Sequence, residues 1–332
     1  MASSHVLACA SCGTQLSPSF LSCPACHTLV HAERLKQLAA DAEAATRAGD
    51  NTRALSAWRD ALDLLPPESP QFAVIAGRVD ELSRTISFSA PKPANPPAGS
   101  ALKRGWSAIV AGAAIVLAKA KFLFIGLTKL GTLSSMLVFL GVYWGLYGWK
   151  FALGFVVCIY IHEMGHVWLL ARYGIKASAP MFIPGVGALV RLKQAPANVH
   201  EDARVGLAGP VWGTGAALAA WGVEFATGAP IWGAIAHTAA WLNLFNLLPV
   251  SQLDAGRGAV ALSALQRRVL VLVIIGSYVL TKEPLLILVG LGAVWQAFRP
   301  APRDHDWSVL LLFSALVAGL SAMIHWVALP HR

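Results

Sequence analysis

Polar and apolar positions change rhythm near residue 105. Before it, apolar residues recur at helical spacing among charges: Ala54, Leu55, Trp58, Ala61, Leu62 and Leu65 share one face of a segment over 52–65, the period-3.6 stripe of an amphipathic helix. An alanine-rich run over 33–48 precedes it, broken by Gly49-Asp50. Pro66-Pro67 stops the second helix, and a third is predicted over 71–86. Beyond 105 the stripes give way to apolar runs of membrane length, at 131–148, 151–172, 203–227, 230–248, 269–280, 284–298 and 307–328. A crossing takes about 20 residues, so 269–280 and 284–298 are either two tilted helices or one re-entrant pair. The stretch 106–127 is apolar too, but Lys119 and Lys121 interrupt it; it enters and returns or lies in the interface. The expectation is an α-helical polytopic membrane protein of about 6–8 membrane segments, with a soluble helical N-terminal region.

Composition supports that split. Only 13% of the 332 residues are charged, about half of the ~25% usual in soluble chains, and the mean hydropathy is +0.58. The net charge of +9 does not mark a nucleic-acid binder, because the basic residues flank the apolar runs instead of sharing one face. If 151–172 runs inward, Arg172, Lys176, Arg191, Lys193 and Arg204 fall on the cytoplasmic side, and so do Arg267, Arg268, Arg299 and Arg303. The N-terminal region is then cytosolic. The stretch 90–100 holds Pro91, Pro93, Pro96 and Pro97 and reads as a stiff linker. Four parts follow: 1–30, 31–89, a linker over 90–104, and a membrane domain over 105–332. Gly-Asp in the turn and proline after the second helix resemble one tetratricopeptide repeat over 31–89, a binding module or a spacer.

Four of the five cysteines lie in Cys9-Ala-Ser-Cys12 and Cys23-Pro-Ala-Cys26. No basic-then-apolar leader precedes them, so the thiols are expected reduced and free for metal. Two CxxC knuckles can converge as four thiolates on one structural Zn²⁺, a zinc ribbon, whose metal supplies the folding energy so small a unit lacks. A disulfide pair or free thiols are the plainer alternatives.

Chemistry concentrates in His162-Glu163-Met164-Gly165-His166, inside the apolar run 151–172. Histidines at i and i+4 project from one helical face and can share a zinc, with Glu163 placed as general base toward an activated water. A charged group at the centre of a membrane helix costs about 2.5–3.5 kcal/mol, so three such groups together need a function. A catalytic zinc takes three protein ligands, and Asp254, beyond Pro249 at the end of another span, lies at a similar depth to His166. The plainer role for Asp254 is a helix cap or a partner for Arg257. Asn243 and Asn246, near the same break, are candidate donors to a tetrahedral oxyanion. His237 and His325 read as isolated packing residues, and Glu201 and Asp202 as acidic groups suited to a helix N-terminus.

These residues resemble the site-2 protease family of intramembrane zinc metalloproteases, in which HExGH in one transmembrane helix is paired with NxxPxxxLDG in another. The counterparts are His162–His166 and Asn246, Pro249, Leu253 and Asp254. The resemblance implies His162, His166 and Asp254 as ligands of a catalytic zinc and Glu163 as base. Gly209-Pro210 resembles a further signature, and 179–190 resembles the family's membrane-associated β-hairpin. One departure stands out: Ala255 follows Asp254 where the family has glycine. If that position needs positive φ, alanine is strained there, or Gly256 takes the turn.

The function expected is hydrolysis of peptide bonds in membrane-embedded substrates, in a bacterial cytoplasmic membrane. The expected partners are a transmembrane substrate and the lipid bilayer, with the N-terminal region a candidate site for a protein partner; no nucleic acid is expected. Rival readings are a metal transporter, although this sequence shows none of the internal repeats frequent in such proteins, and a catalytically silent scaffold working through its N-terminal modules.

Overall fold

The computed structural model describes residues 7–17, 19–88, 130–185, 187–190, 192–250, 253–302 and 305–327. The linker at 90–104 and the interrupted run at 106–127 lie outside the described residues. Contacts divide the chain into two units: one of Met1–Lys92 with Ala171–Lys176, the other of Pro93–Leu170 with Ala177–Arg332.

In the first unit, β1 (Leu7–Ala8) pairs antiparallel with β2 (Gln15–Leu16) at the cysteine knuckles. Three helices follow, α1 (Ala32–Arg47), α2 (Asn51–Leu62) and α3 (Pro70–Phe88), within a few residues of the predicted bounds. Gly49 takes φ +74, and Asp50 caps α2 by accepting from the Arg53 N–H at 3.0 Å, closing the turn the Gly-Asp pair predicts. The apolar stripe Ala54, Leu55, Trp58 and Ala61 is buried. So is Arg59, whose Nε donates to the Tyr173 carbonyl at 3.0 Å, while Lys176 pairs with Asp60 at 2.6 Å.

The second unit carries α4 (Leu130–Tyr147), most of α5 (Trp149–Arg172), and a hairpin of β3 (Met181–Ile183) with β4 (Gly187–Leu189). It continues through α6 (Val199–Thr227), α7 (Pro230–Asn246), α8 (Asp254–Val260), α9 (Ala264–Thr281), α10 (Leu285–Ala297) and α11 (Trp307–Trp326). Gly148, at φ +84, joins α4 to α5 alone, a reversal that a Cβ would strain. The helices α5, α9 and α11 are long and apolar enough to cross a membrane. Leu272, Leu280, Leu291 and Leu311 are exposed on the helix surfaces, and apolar surface on this scale is what lipid contact requires. The molecule is an integral membrane protein. The region 269–298 resolves into two separate helices, α9 and α10, and α9 begins five residues earlier than the apolar run because Ser263 and Gln266 form a capping box.

A buried cluster including Leu207, Ile235, Leu244, Leu262 and Phe313 joins α6, α7 and α11. A second, of Phe139, Phe155, Tyr160, Met164 and Phe182, seats the hairpin on α4 and α5. Met181 pairs with Leu189 and Phe182 with Ala188, the hairpin expected over 179–190. Thr132 donates to the Pro180 carbonyl at 2.8 Å and the Phe182 N–H donates to Ser135 at 3.1 Å, tying the hairpin to α4.

Candidate metal centre

On α5 the i, i+4 spacing turns His162 and His166 to the same side, and both are buried with Glu163 (3%, 7% and 5% exposed). Groups this buried must be paired or hold a metal. Asp254 opens α8 and reaches both: its Oδ2 lies 3.0 Å from His162 Nε2 and its Oδ1 3.3 Å from His166 Nε2. The two Nε2 atoms lie 3.3 Å apart. Donor atoms of the three residues fall within 4.8 Å of one another. The Asp254 side chain is 22% exposed, giving the centre a side that water can reach.

The outer nitrogens decide what the inner ones are. His166 Nδ1 lies 2.8 Å from the Val205 carbonyl, which can only accept, so Nδ1 carries the proton. Asn243 directs its Nδ2 donor to the Ala239 carbonyl at 2.7 Å, which turns its Oδ1 toward His162 Nδ1 at 2.8 Å; that nitrogen is also the donor. In the neutral form that a metal takes, both rings then present Nε2 lone pairs toward each other and toward a carboxylate. In that form four electron-rich atoms face one point, and a cation there would relieve their repulsion. A His₂Asp set fits zinc, and a hydrogen-bonded Nδ1–H behind each ligand is the usual support for such a centre.

Helix α6 leaves the room. A Cβ on Gly209 would collide with His166 Nε2 and with His162 Nε2, so glycine keeps the face of the centre open. A Cβ on Gly213 would strike the Asn243 amide, and one on Gly206 the Asp254 carbonyl. Pro210 within α6 removes one backbone donor beside the site. Sequence singled out Gly209-Pro210 only by resemblance; the collisions supply the physical reason. The Val205 carbonyl carried no sequence signal.

Other expectations resolve as follows. Arg257, the plainer partner offered for Asp254, instead gives its guanidinium to Asp202, with Nε at 2.7 Å. Ala255 is buried within α8. Among the described residues, only His27 and Lys282 are non-glycine residues at positive φ, so alanine is unstrained here and Gly256 takes no special turn. Asn246 directs its Nδ2 toward His162 Nε2 at 3.4 Å, on the inner side of the ring. Asn243, by contrast, has both ends of its amide engaged away from that side. Glu201 and Asp202 lie in the first turn of α6, and His237 Nδ1 bonds the Val327 carbonyl at 3.2 Å.

The second metal set is at the knuckles. Cys9 and Cys26 Sγ are 3.6 Å apart, as are Cys12 and Cys23, and all four Sγ lie within 4.8 Å of one another. Disulfide sulfurs would be about 2.05 Å apart, whereas four thiolates at ~2.3 Å from one zinc stand about 3.8 Å apart. The four cysteines are free and compatible with a zinc ribbon. The Thr28 hydroxyl, and after it the Thr28 N–H, pulls the Cys26 thiol from 9.0 down to about 6, toward the thiolate a metal takes.

Residues 150–229 match the model of peptidase family M50, a segment running from α5 through the hairpin to the end of α6. The match stops short of Asn243, Asn246 and Asp254, which the fold brings to the same centre. No curated protein and no solved structure matches the chain.

Proposed function

With residues 150–229 identified as peptidase family M50, the site-2 proteases, we propose that the chain is an intramembrane zinc metalloprotease. It hydrolyses a peptide bond in or beside the membrane-spanning segment of its substrate. The observation that carries this reading is the convergence of the His162 and His166 Nε2 atoms and one carboxylate on a point that Gly209 leaves open. His162, His166 and Asp254 would hold the metal. Bound there, zinc would lower the pKa of a water to about 7 and polarise the scissile carbonyl.

The chain's own groups do the remainder. Glu163, next to His162, takes the proton as the water oxygen attacks the carbonyl carbon, then delivers it to the amine as the C–N bond breaks. The Asn246 amide, on the inner side of the site, donates to the oxyanion that forms. Asn243 and the Val205 carbonyl hold the two rings in register. A helical substrate must unwind before its carbonyl is accessible, and the two-stranded β3–β4 sheet offers an outer edge to pair with the extended segment. The zinc ribbon at 1–30 and the helical unit at 31–89 are joined to this protease domain (105–332) by the proline-rich linker at 90–104. They lie in the cytosol of a bacterium, where they bind a protein partner.

The test is Glu163→Gln in the purified full chain. It should keep its zinc and lose cleavage of a model transmembrane substrate by at least about a hundredfold, the scale of general-base catalysis. Equal cleavage by wild type and variant, or by neither, removes the protease reading.

A further inference from the structure

A cavity of about 710 Å³ opens beside the metal centre without including any of its ligands. Four parts of the second unit wall it: the segment following β4, the start of α6 at Asp202, the α8 residues Gly256, Arg257 and Val260, and the end of α10 at Gln296 and Arg299. Its ionisable groups are Lys193, Asp202, Arg257 and Arg299. Among the described residues lining the cavity the one carboxylate, Asp202, is spent on Arg257 through both Nε and Nη2. Of the same described lining, Lys193 and Arg299, both exposed, are the positive groups left beside it. The Arg299 guanidinium lies over the Trp295 ring at 4.7 Å, which fixes its plane and leaves its N–H edge able to donate. Val190, Leu192 and Val199 add apolar wall.

We propose that this cavity is a specificity pocket for an acidic peptide segment: the residues of the substrate that flank the scissile bond. The proposal rests on the protease reading of the metal centre. Position supports it. Asp254 opens α8, and Gly256 and Arg257 lie within one helical turn of it, while Gly206 lets the α6 backbone close on the Asp254 carbonyl. A turn rises about 5.4 Å and an extended chain covers about 3.3–3.6 Å per residue. A peptide whose carbonyl is at the metal centre therefore enters the cavity within about two to four residues. Glutamate or aspartate there gains a charge-assisted bond from Lys193 or Arg299, and lysine or arginine there is repelled.

The test measures binding, so it does not depend on turnover. Full-length Glu163→Gln protein in neutral detergent is titrated with a fluorescent peptide of alternating Val and Glu, and with its Val/Gln counterpart. The Glu peptide should bind at least about tenfold more tightly, a difference of about 1.4 kcal/mol, and salt should erode the preference. Adding Lys193→Glu and Arg299→Glu should abolish or invert the preference with the melting temperature unchanged. Equal binding of the two peptides by the parent overturns the proposal, as does a preference that survives the double charge reversal. If the peptides are not distinguished and the double variant instead loses binding to phosphatidylglycerol vesicles but not to phosphatidylcholine, the cavity is a lipid headgroup site and the proposal falls. Failure of the protease reading would show separately, as Glu163→Gln cleaving like wild type.

Discussion

His162 Nδ1 donates to Asn243 Oδ1 at 2.8 Å, a bond between α5 and α7 across 81 positions of sequence. It fixes the tautomer that leaves Nε2 free for metal, and so converts a helix-packing contact into a property of the centre. Removing the acceptor should weaken the metal site about 10–100-fold, the usual cost of losing a ligand's hydrogen-bond partner. Asn243→Ala should show that loss in zinc affinity and in cleavage. Asn243→Asp keeps an acceptor toward Nδ1 and should recover much of it. Competitive zinc titration of the two variants checks the ordering; equal losses would mean that Asn243 acts by packing alone.

Gly209 and Gly215 lie on the same helix and give a matched comparison. A Cβ at 209 runs into both histidine Nε2 atoms, whereas one at 215 meets nothing within 4 Å. Overpacking of this kind costs about 1–3 kcal/mol; borne by the metal site, that is about a ten- to hundredfold loss of zinc affinity. Gly209→Ala should purify with its helical circular dichroism intact and its catalytic zinc depleted. Gly215→Ala should keep full zinc, with stability equal or up to about 1 kcal/mol higher from helix propensity.

Part of this centre was legible in the residues themselves. HExxH at helical spacing already implies two ligands and an adjacent carboxylate, because i and i+4 must share a face of any helix. The hydrophobic runs placed α5, α6, α7 and α11 closely, since membrane length and turn chemistry bound them. Asp254 was nameable by depth and resemblance, but what frees it for the histidines is the Asp202–Arg257 pair, and that depends on where α6 starts relative to α8. Helix packing likewise decides which way an amide faces: of the two candidate oxyanion donors, Asn243 has its amide engaged by His162 Nδ1 and the Ala239 carbonyl, while Asn246 faces inward. No pattern of side chains announces the Val205 carbonyl. Residue 255 shows the opposite error, a departure from a family motif that costs nothing because helix α8 begins one residue earlier.

On the proposed reading the two candidate metal sets take two equivalents of zinc per chain, separable by mutation. Cys23 is fully buried among the knuckle thiols, so Cys23→Ser should lower bound zinc from two equivalents to one and unfold the β1–β2 knuckles, whose folding energy a bound metal would supply. His162→Ala should also remove one equivalent, but from the other set, leaving the knuckles folded. Metal analysis combined with proteolysis of the N-terminal segment distinguishes them; a Cys23→Ser protein that still carries two equivalents would exclude a Cys₄ zinc.

Gly174 tests the grip of the helical unit on the residues that follow α5. It takes φ +65, and a Cβ there would stand 2.8 Å from the Ser56 N and 2.9 Å from its Cα, backbone atoms of α2 that cannot swing aside. The neighbouring bonds, Arg59 to the Tyr173 carbonyl and Lys176 to Asp60, hold the same stretch. Gly174→Ala combines a left-handed backbone penalty of about 1–2 kcal/mol with overpacking of about 1–3 kcal/mol. Because the collision is with backbone, relaxation must separate α2 from residues 173–176. Hydrogen exchange should then accelerate in α2 and around Tyr173, while the knuckles at Cys9–Cys26, which share none of these contacts, keep their protection. Unchanged exchange in α2 would show that the close approach at Gly174 contributes nothing to the unit's stability.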